Sequence, residues 1–178
     1  MFGFFRRKKK QKSAEQSVVN TQPTAKEQPS FVQGAKIAYQ PELIDQFKKD
    51  HKELLTLFTN IVNAAEGRDT VQIPALLTEF KRRIMGHLLQ ENIQLYVYLK
   101  YLYADDSMTS ELTKSMQKEM SAIGKTVLDF ISKYTAKGAK YDQEFRDGLQ
   151  GIGAVLVERI KVEEENLYGL YLPPGTTL

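Results

Sequence analysis

From Tyr39 onward, apolar residues recur at steps of three and four in four long runs. A run of that period buries itself as one face of an α-helix and as nothing else. The first, over about 41–66, places Ile44, Phe47, His51, Leu54, Phe58, Ile61 and Ala65 on one stripe. The second, over about 71–103, carries Ile73, Leu76, Phe80, Ile84, His87, Glu91, Leu95, Tyr98 and Leu102. The third, over about 108–137, carries Leu112, Met116, Met120, Ile123, Val127, Phe130 and Tyr134. The fourth, over about 141–170, carries Phe145, Leu149, Ile152, Leu156, Arg159, Glu163, Leu167 and Leu170. Pro41 and Pro74 suit first helical turns, Gly67 and Gly138 suit ends, and Pro173 and Pro174 stop the last run. Short loops between long helices predict an all-α, up-down-up-down antiparallel four-helix bundle over residues 39–172, with a tail at 173–178. Gly148, Gly151 and Gly153 weaken the fourth helix or let a neighbour approach closely.

Cysteine is absent, which excludes disulfides, thiolate metal sites and cysteine nucleophiles. The net charge of +3 is unevenly placed: Arg6, Arg7, Lys8, Lys9, Lys10 and Lys12 supply six positive charges, and the remainder is near −3. The bundle is therefore not a basic nucleic-acid binder, and no sequence-specific nucleic-acid binding is expected. No apolar run is long enough to span a membrane, and no secretory signal is read, so the expectation is a cytoplasmic protein.

Residues 1–38 read as a disordered basic arm and linker, poor in apolar residues and broken by Pro23 and Pro29. At its start, Phe2, Phe4 and Phe5 precede Arg6, Arg7, Lys8, Lys9 and Lys10, a pattern that suits contact with an anionic membrane surface on the inner face. A solvated tail is the plainer reading. Tyr96, Tyr101 and Tyr103 read as an exposed or boundary aromatic patch, and Lys161, Glu164 and Glu165 as a solvated face.

Five ionisable residues sit where core residues belong: His51, His87, Glu91, Arg159 and Glu163. His87 with Glu91, and Arg159 with Glu163, are spaced four apart and share a helix face. Unpaired burial would cost several kcal/mol. Two answers follow. Either Arg159 pairs with Glu91 or Glu163 in a metal-free polar network, or His51, His87, Glu91 and Glu163 hold a cation such as iron, manganese or zinc. The permanent charge of Arg159 favours the network, because a guanidinium supplies the positive charge that buried carboxylates need. No phosphate-cradling loop or nucleophile arrangement is present, so a non-catalytic role is expected.

The strings His87-Leu-Leu-Gln-Glu91-Asn92 and Arg159-Ile-Lys-Val-Glu163-Glu164-Glu165-Asn-Leu-Tyr168 resemble the two H-x-x-x-E signatures of hemerythrin-like (HHE) domains. His51 in Asp50-His51-Lys52-Glu53-Leu54 is similar to the family's first-helix histidine. The resemblance covers nearly all of 40–171 and implies a four-helix bundle holding a pair of irons. The chain departs from the pattern at Arg159, where the family has histidine, and near Glu119 and Met120, where a third-helix histidine would fall. What remains matches the ligands of one iron plus the bridging carboxylates.

A second resemblance, to the regulator-of-sigma-D family, rests on a first-helix histidine, on Gly86-His87 and on Ile152-Gly153-Ala-Val-Leu156-Val-Glu-Arg159-Ile-Lys-Val-Glu163. It implies a regulator that binds a protein partner, the primary sigma factor of RNA polymerase, without a cofactor. The sequence thus points first to a non-catalytic regulatory or adaptor bundle, and second to a hemerythrin-like iron-binding sensor or storage domain.

Overall fold

A computed structural model describes residues 30–176 apart from Ala35 and Arg68. The aromatic and basic residues from Phe2 to Lys10, read as a membrane contact, lie outside the described residues. Four helical rods pack as a bundle. Helix α1 spans Leu43–Glu66. The second rod runs through α2 (Ile73–Gln90), a π-helical turn (Glu91–Tyr96) and α3 (Val97–Leu102). Helix α4 spans Ser107–Thr135, and the last rod joins α5 (Gln143–Val162) to a second π-helical turn (Glu163–Leu167) and a 3₁₀ turn (Tyr168–Leu170). Neighbouring rods touch in the order α1–α2–α4–α5, and α5 closes the ring on α1.

Local chemistry fixes the ends. The Asp106 carboxylate accepts from the backbone N–H groups of Met108 and Thr109 at 3.1 and 3.2 Å, capping α4. Asp142 does the same for α5 through Phe145 N–H at 3.3 Å. Gly138, at φ +83°, takes the left-handed conformation that lets the chain leave α4. Residues 30–39, mostly read with the arm from composition, carry a Phe31–Ala38 bridge, and Val32 packs into the core. At the end of the last rod, the Tyr98 and Tyr103 hydroxyls donate to the Leu172 and Leu170 carbonyls at 2.7 and 2.9 Å, and Tyr171 packs on Tyr39 and Tyr98. Among the described residues, no helix is long and apolar enough to cross a membrane.

The apolar core is split in two. One half gathers residues such as Leu54, Phe58, Ile84, Val127, Phe145 and Leu156. The other gathers Phe47, Leu95, Leu99, Met116, Leu167 and Tyr171. Between them, in every rod but α4, the stripe turns polar: His51, His87 with Glu91, and Arg159 with Glu163.

The third stripe is rotated relative to expectation. Thr113, Gly124 and Ile131 are buried, whereas Leu112 is 49% exposed and Ile123 and Phe130 are only half-buried. Gly124 faces inward because Leu88 of α2 presses on it; a Cβ there would lie 2.9 Å from the Leu88 Cδ1 atom.

On α5 two glycines differ in the same way. A Cβ on Gly153 would meet the Phe58 ring at 2.7 Å, while a Cβ on Gly151 meets nothing within 4 Å. Gly151→Ala is therefore expected to raise stability by about 0.5–1 kcal/mol through helix propensity alone. Gly153→Ala should lose stability, because overpacking of about 1–3 kcal/mol exceeds that gain. Urea midpoints of the two variants check the pair, and equal midpoints would contradict the close approach of α5 to α1.

Candidate metal centre

The polar layer is assembled by the helical period. His51 lies one turn beyond Phe47 on α1, and His87 one turn beyond Ile84 on α2, so each imidazole enters the core from a rod held by apolar packing on both sides. Glu91 and Glu163 each open a π-helical turn. Such turns insert a residue into an α-helix and cluster at functional sites. Nothing in the sequence pattern announced them. All five polar residues are buried, at 0–5% exposure.

Three of them converge. The Nε2 atoms of His51 and His87 lie 3.2 Å apart, and His51 Nε2 lies 3.3 Å from Glu163 Oε2. One ligand atom from each of His51, His87 and Glu163 falls within 4.8 Å of the others. Ligands bound at about 2.1 Å from one ion stand roughly 3.0–3.4 Å apart in octahedral or tetrahedral geometry. The two observed separations match that edge length. Beside the trio lies a cavity of about 20 Å³ walled by Leu54, Phe58, Phe80, Ile84 and Leu156, room for one water-sized molecule.

The outer contacts aim these donors inward. His51 Nδ1 donates to Glu164 Oε1 at 2.9 Å, which leaves the Nε2 lone pair facing the centre. Glu164 therefore does more than line a solvated face. Asp50 Oδ2 stands 3.6 Å from His87 Nδ1, an ion-pair distance too long for a hydrogen bond. The Tyr168 hydroxyl lies 3.3 Å from His51 Nε2, and its ring stacks on the His51 ring. Tyr96, expected in a surface or boundary patch, is instead buried, and its hydroxyl meets Arg159.

Arg159 takes the pairing role expected of it, and its partner is Glu163. Its Nε donates to Glu163 Oε1 at 2.7 Å, and a terminal nitrogen donates to the Tyr96 hydroxyl at 3.0 Å and the Met116 carbonyl at 3.2 Å. Glu119, 62% exposed, approaches it at 3.7 Å.

Glu91 is not one of the converging three, and it is the anomaly of the layer. It is wholly buried, and neither carboxylate oxygen has a hydrogen-bond partner among the described residues. Burial, and then the charge of Glu163, push its pKa well above the carboxylate range, and Arg159 opposes this only in part. Burial, and then the charge of His51, hold His87 below the ordinary imidazole value. Burial pulls His51 down as well, but Glu163 and Glu164 outweigh it and leave His51 raised. Burial, with the charges of Glu91 and Glu163 behind it, keeps the Tyr168 hydroxyl protonated. The layer thus brings the donor atoms of His51, His87 and Glu163 face to face beside a buried carboxyl whose oxygens have no partner among the described residues. The residues present fit a bound cation.

Comparison with known proteins agrees. Residues 42–171 match the family model described as the hemerythrin HHE cation binding domain. No curated protein and no solved structure matches the chain. The resemblance to the regulator-of-sigma-D family is accordingly not supported: its strings fall inside the hemerythrin match, and the buried His87 and Glu163 they contain join His51 in the candidate metal group. With a split core, a converging His-His-Glu trio and a family match across the whole bundle, the chain belongs to the hemerythrin HHE cation-binding domain family.

Proposed function

We propose that this chain is a non-haem iron-binding domain that holds ferrous ion between His51, His87 and Glu163 and serves as an iron sensor or store. The observation that carries this is the trio itself, with donor atoms spaced at 3.2 and 3.3 Å in a buried layer. Two imidazoles and one carboxylate form the ligand set of non-haem ferrous sites with open positions. A bound ion would supply the positive charge that Glu91 lacks. This reading reverses the order in which the sequence ranked the two, where Arg159 favoured the regulatory bundle.

Elemental analysis of protein expressed in iron-replete medium tests the proposal. Stoichiometric iron is expected in the wild type, with loss in His87→Ala. Folded wild-type protein free of iron, zinc and manganese would remove the proposal.

Glu164 provides a subtler check. Glu164→Gln keeps an acceptor near His51 but removes the charge that fixes its tautomer. An outer-shell change of this kind is expected to weaken metal affinity about 10–100-fold. The side chain is 34% exposed, so the fold should survive. Competition with a chelator measures the shift, and unchanged affinity would contradict the role given to Glu164.

A partner-binding role has separate support in one surface feature. Met85, Leu89 and Ile93, spaced four apart along the second rod, are 47%, 61% and 50% exposed. Such a row suits a protein partner. Recovery of one stable partner by the wild type and not by Leu89→Asp would support it, and recovery of none would remove it.

A further inference from the structure

The polar layer has two halves, and they are filled differently. Glu163 is shared between them. Its Oε2 faces His51 at 3.3 Å, while its Oε1 accepts from Arg159 at 2.7 Å. The half on the His51 side has two imidazole nitrogens and a carboxylate oxygen. The half on the α4 side has a guanidinium. That guanidinium is 5% exposed and held in place by the Tyr96 hydroxyl and the Met116 carbonyl as well as by Glu163. Helix α4 buries only Met116 and Met120 at this level, and thioethers are poor ligands for a ferrous ion; its one carboxylate here, Glu119, is 62% exposed and approaches the guanidinium at 3.7 Å.

Charge argues the same way. Glu91 and Glu163 bring two negative charges when ionised, and Arg159 brings one positive charge that it cannot lose. A second cation would have to sit against that fixed charge, and like charges repel strongly in a buried layer.

We infer that the layer takes one cation per chain, and that Arg159 is a resident positive charge occupying the place where a second cation would sit. The inference rests on the proposed iron-binding function and deepens it. Arg159 is a positioning residue here: it holds Glu163 by one oxygen and leaves the other free for the ion. A single site per bundle has little capacity as a store. An ion that arrives next to a fixed guanidinium instead changes the charge at Glu163 and Glu91, which suits sensing.

The test is anaerobic equilibrium dialysis of the full chain against ferrous ion, followed by elemental analysis, for the wild type and for Arg159→His. The wild type should bind one ion. Arg159→His exchanges the guanidinium for an imidazole on the Glu163 side of the layer and should bind two. Two ions in the wild type would overturn the inference and leave the iron-binding function standing. No ion in the wild type would remove both. An Arg159→His chain that keeps its helical circular dichroism yet stops at one ion would also overturn the inference. If that variant fails to fold, the wild-type count alone decides between one and two.

Discussion

Arg159→Met is expected to cost the metal-free bundle about 3–5 kcal/mol, which is the usual loss when one member of a buried ion pair is removed. Met fills much of the same volume, so the loss reports charge more than a cavity. Glu163, 1% exposed, would keep its contact with His51 but lose the guanidinium on Oε1, and the Tyr96 hydroxyl and Met116 carbonyl would lose their donor. For a chain of this size the change corresponds to a drop in melting temperature of roughly 6–20 °C. Ferrous ion should recover part of it by neutralising Glu163 from the other side. Melting curves with and without ferrous ion measure both effects, and a shift smaller than about 1 kcal/mol would show that the pair does not organise the layer.

Glu91→Met should act in the opposite direction on the metal-free protein. The native carboxyl is wholly buried with two oxygens that lack partners, and a buried polar group left unsatisfied costs about 1–3 kcal/mol. A flexible thioether chain of similar length removes that cost and packs against the surrounding core. Stability without metal is therefore expected to rise by about 1–3 kcal/mol. Metal affinity should fall at the same time, by about 10–100-fold or more, because the carboxyl that a nearby ion would draw into its charged form is gone. This crossing of signs separates a cation site from a structural network. In a network, removing Glu91 lowers stability with or without ions. Chemical denaturation in chelator and in ferrous ion would show which pattern holds.

The sequence carried the bundle plainly because four stripes of period 3.6 leave a long chain few other ways to bury its apolar residues. It carried the polar layer for the same reason: His51, His87, Glu91, Arg159 and Glu163 interrupt stripes that are otherwise apolar. What it did not carry depends on distance across the bundle. Nothing in Glu164 distinguishes it from its exposed neighbour Glu165 until α1 brings His51 Nδ1 within 2.9 Å of it. Tyr96 looked like part of a surface patch because an unbroken α-helix turns it away from the core. The π-helical turn at Glu91–Tyr96 changes the phase and buries it. The third stripe slipped by one residue because Gly124, which has no side chain to read as apolar, is the residue that Leu88 packs against. The choice between network and ion site also lay beyond the sequence. Helical spacing placed a guanidinium on the same level as two carboxylates. Geometry showed that it pairs with only one of them.

X-ray absorption fine structure of the ferrous protein addresses the central claim most directly, since the sequence contains two histidines and both lie in the layer. Outer-shell scattering from two imidazoles, with the remaining ligands oxygen, is the result expected, and it would identify His51 and His87 without any substitution. A spectrum with oxygen neighbours alone would place the metal elsewhere on the molecule and contradict the account.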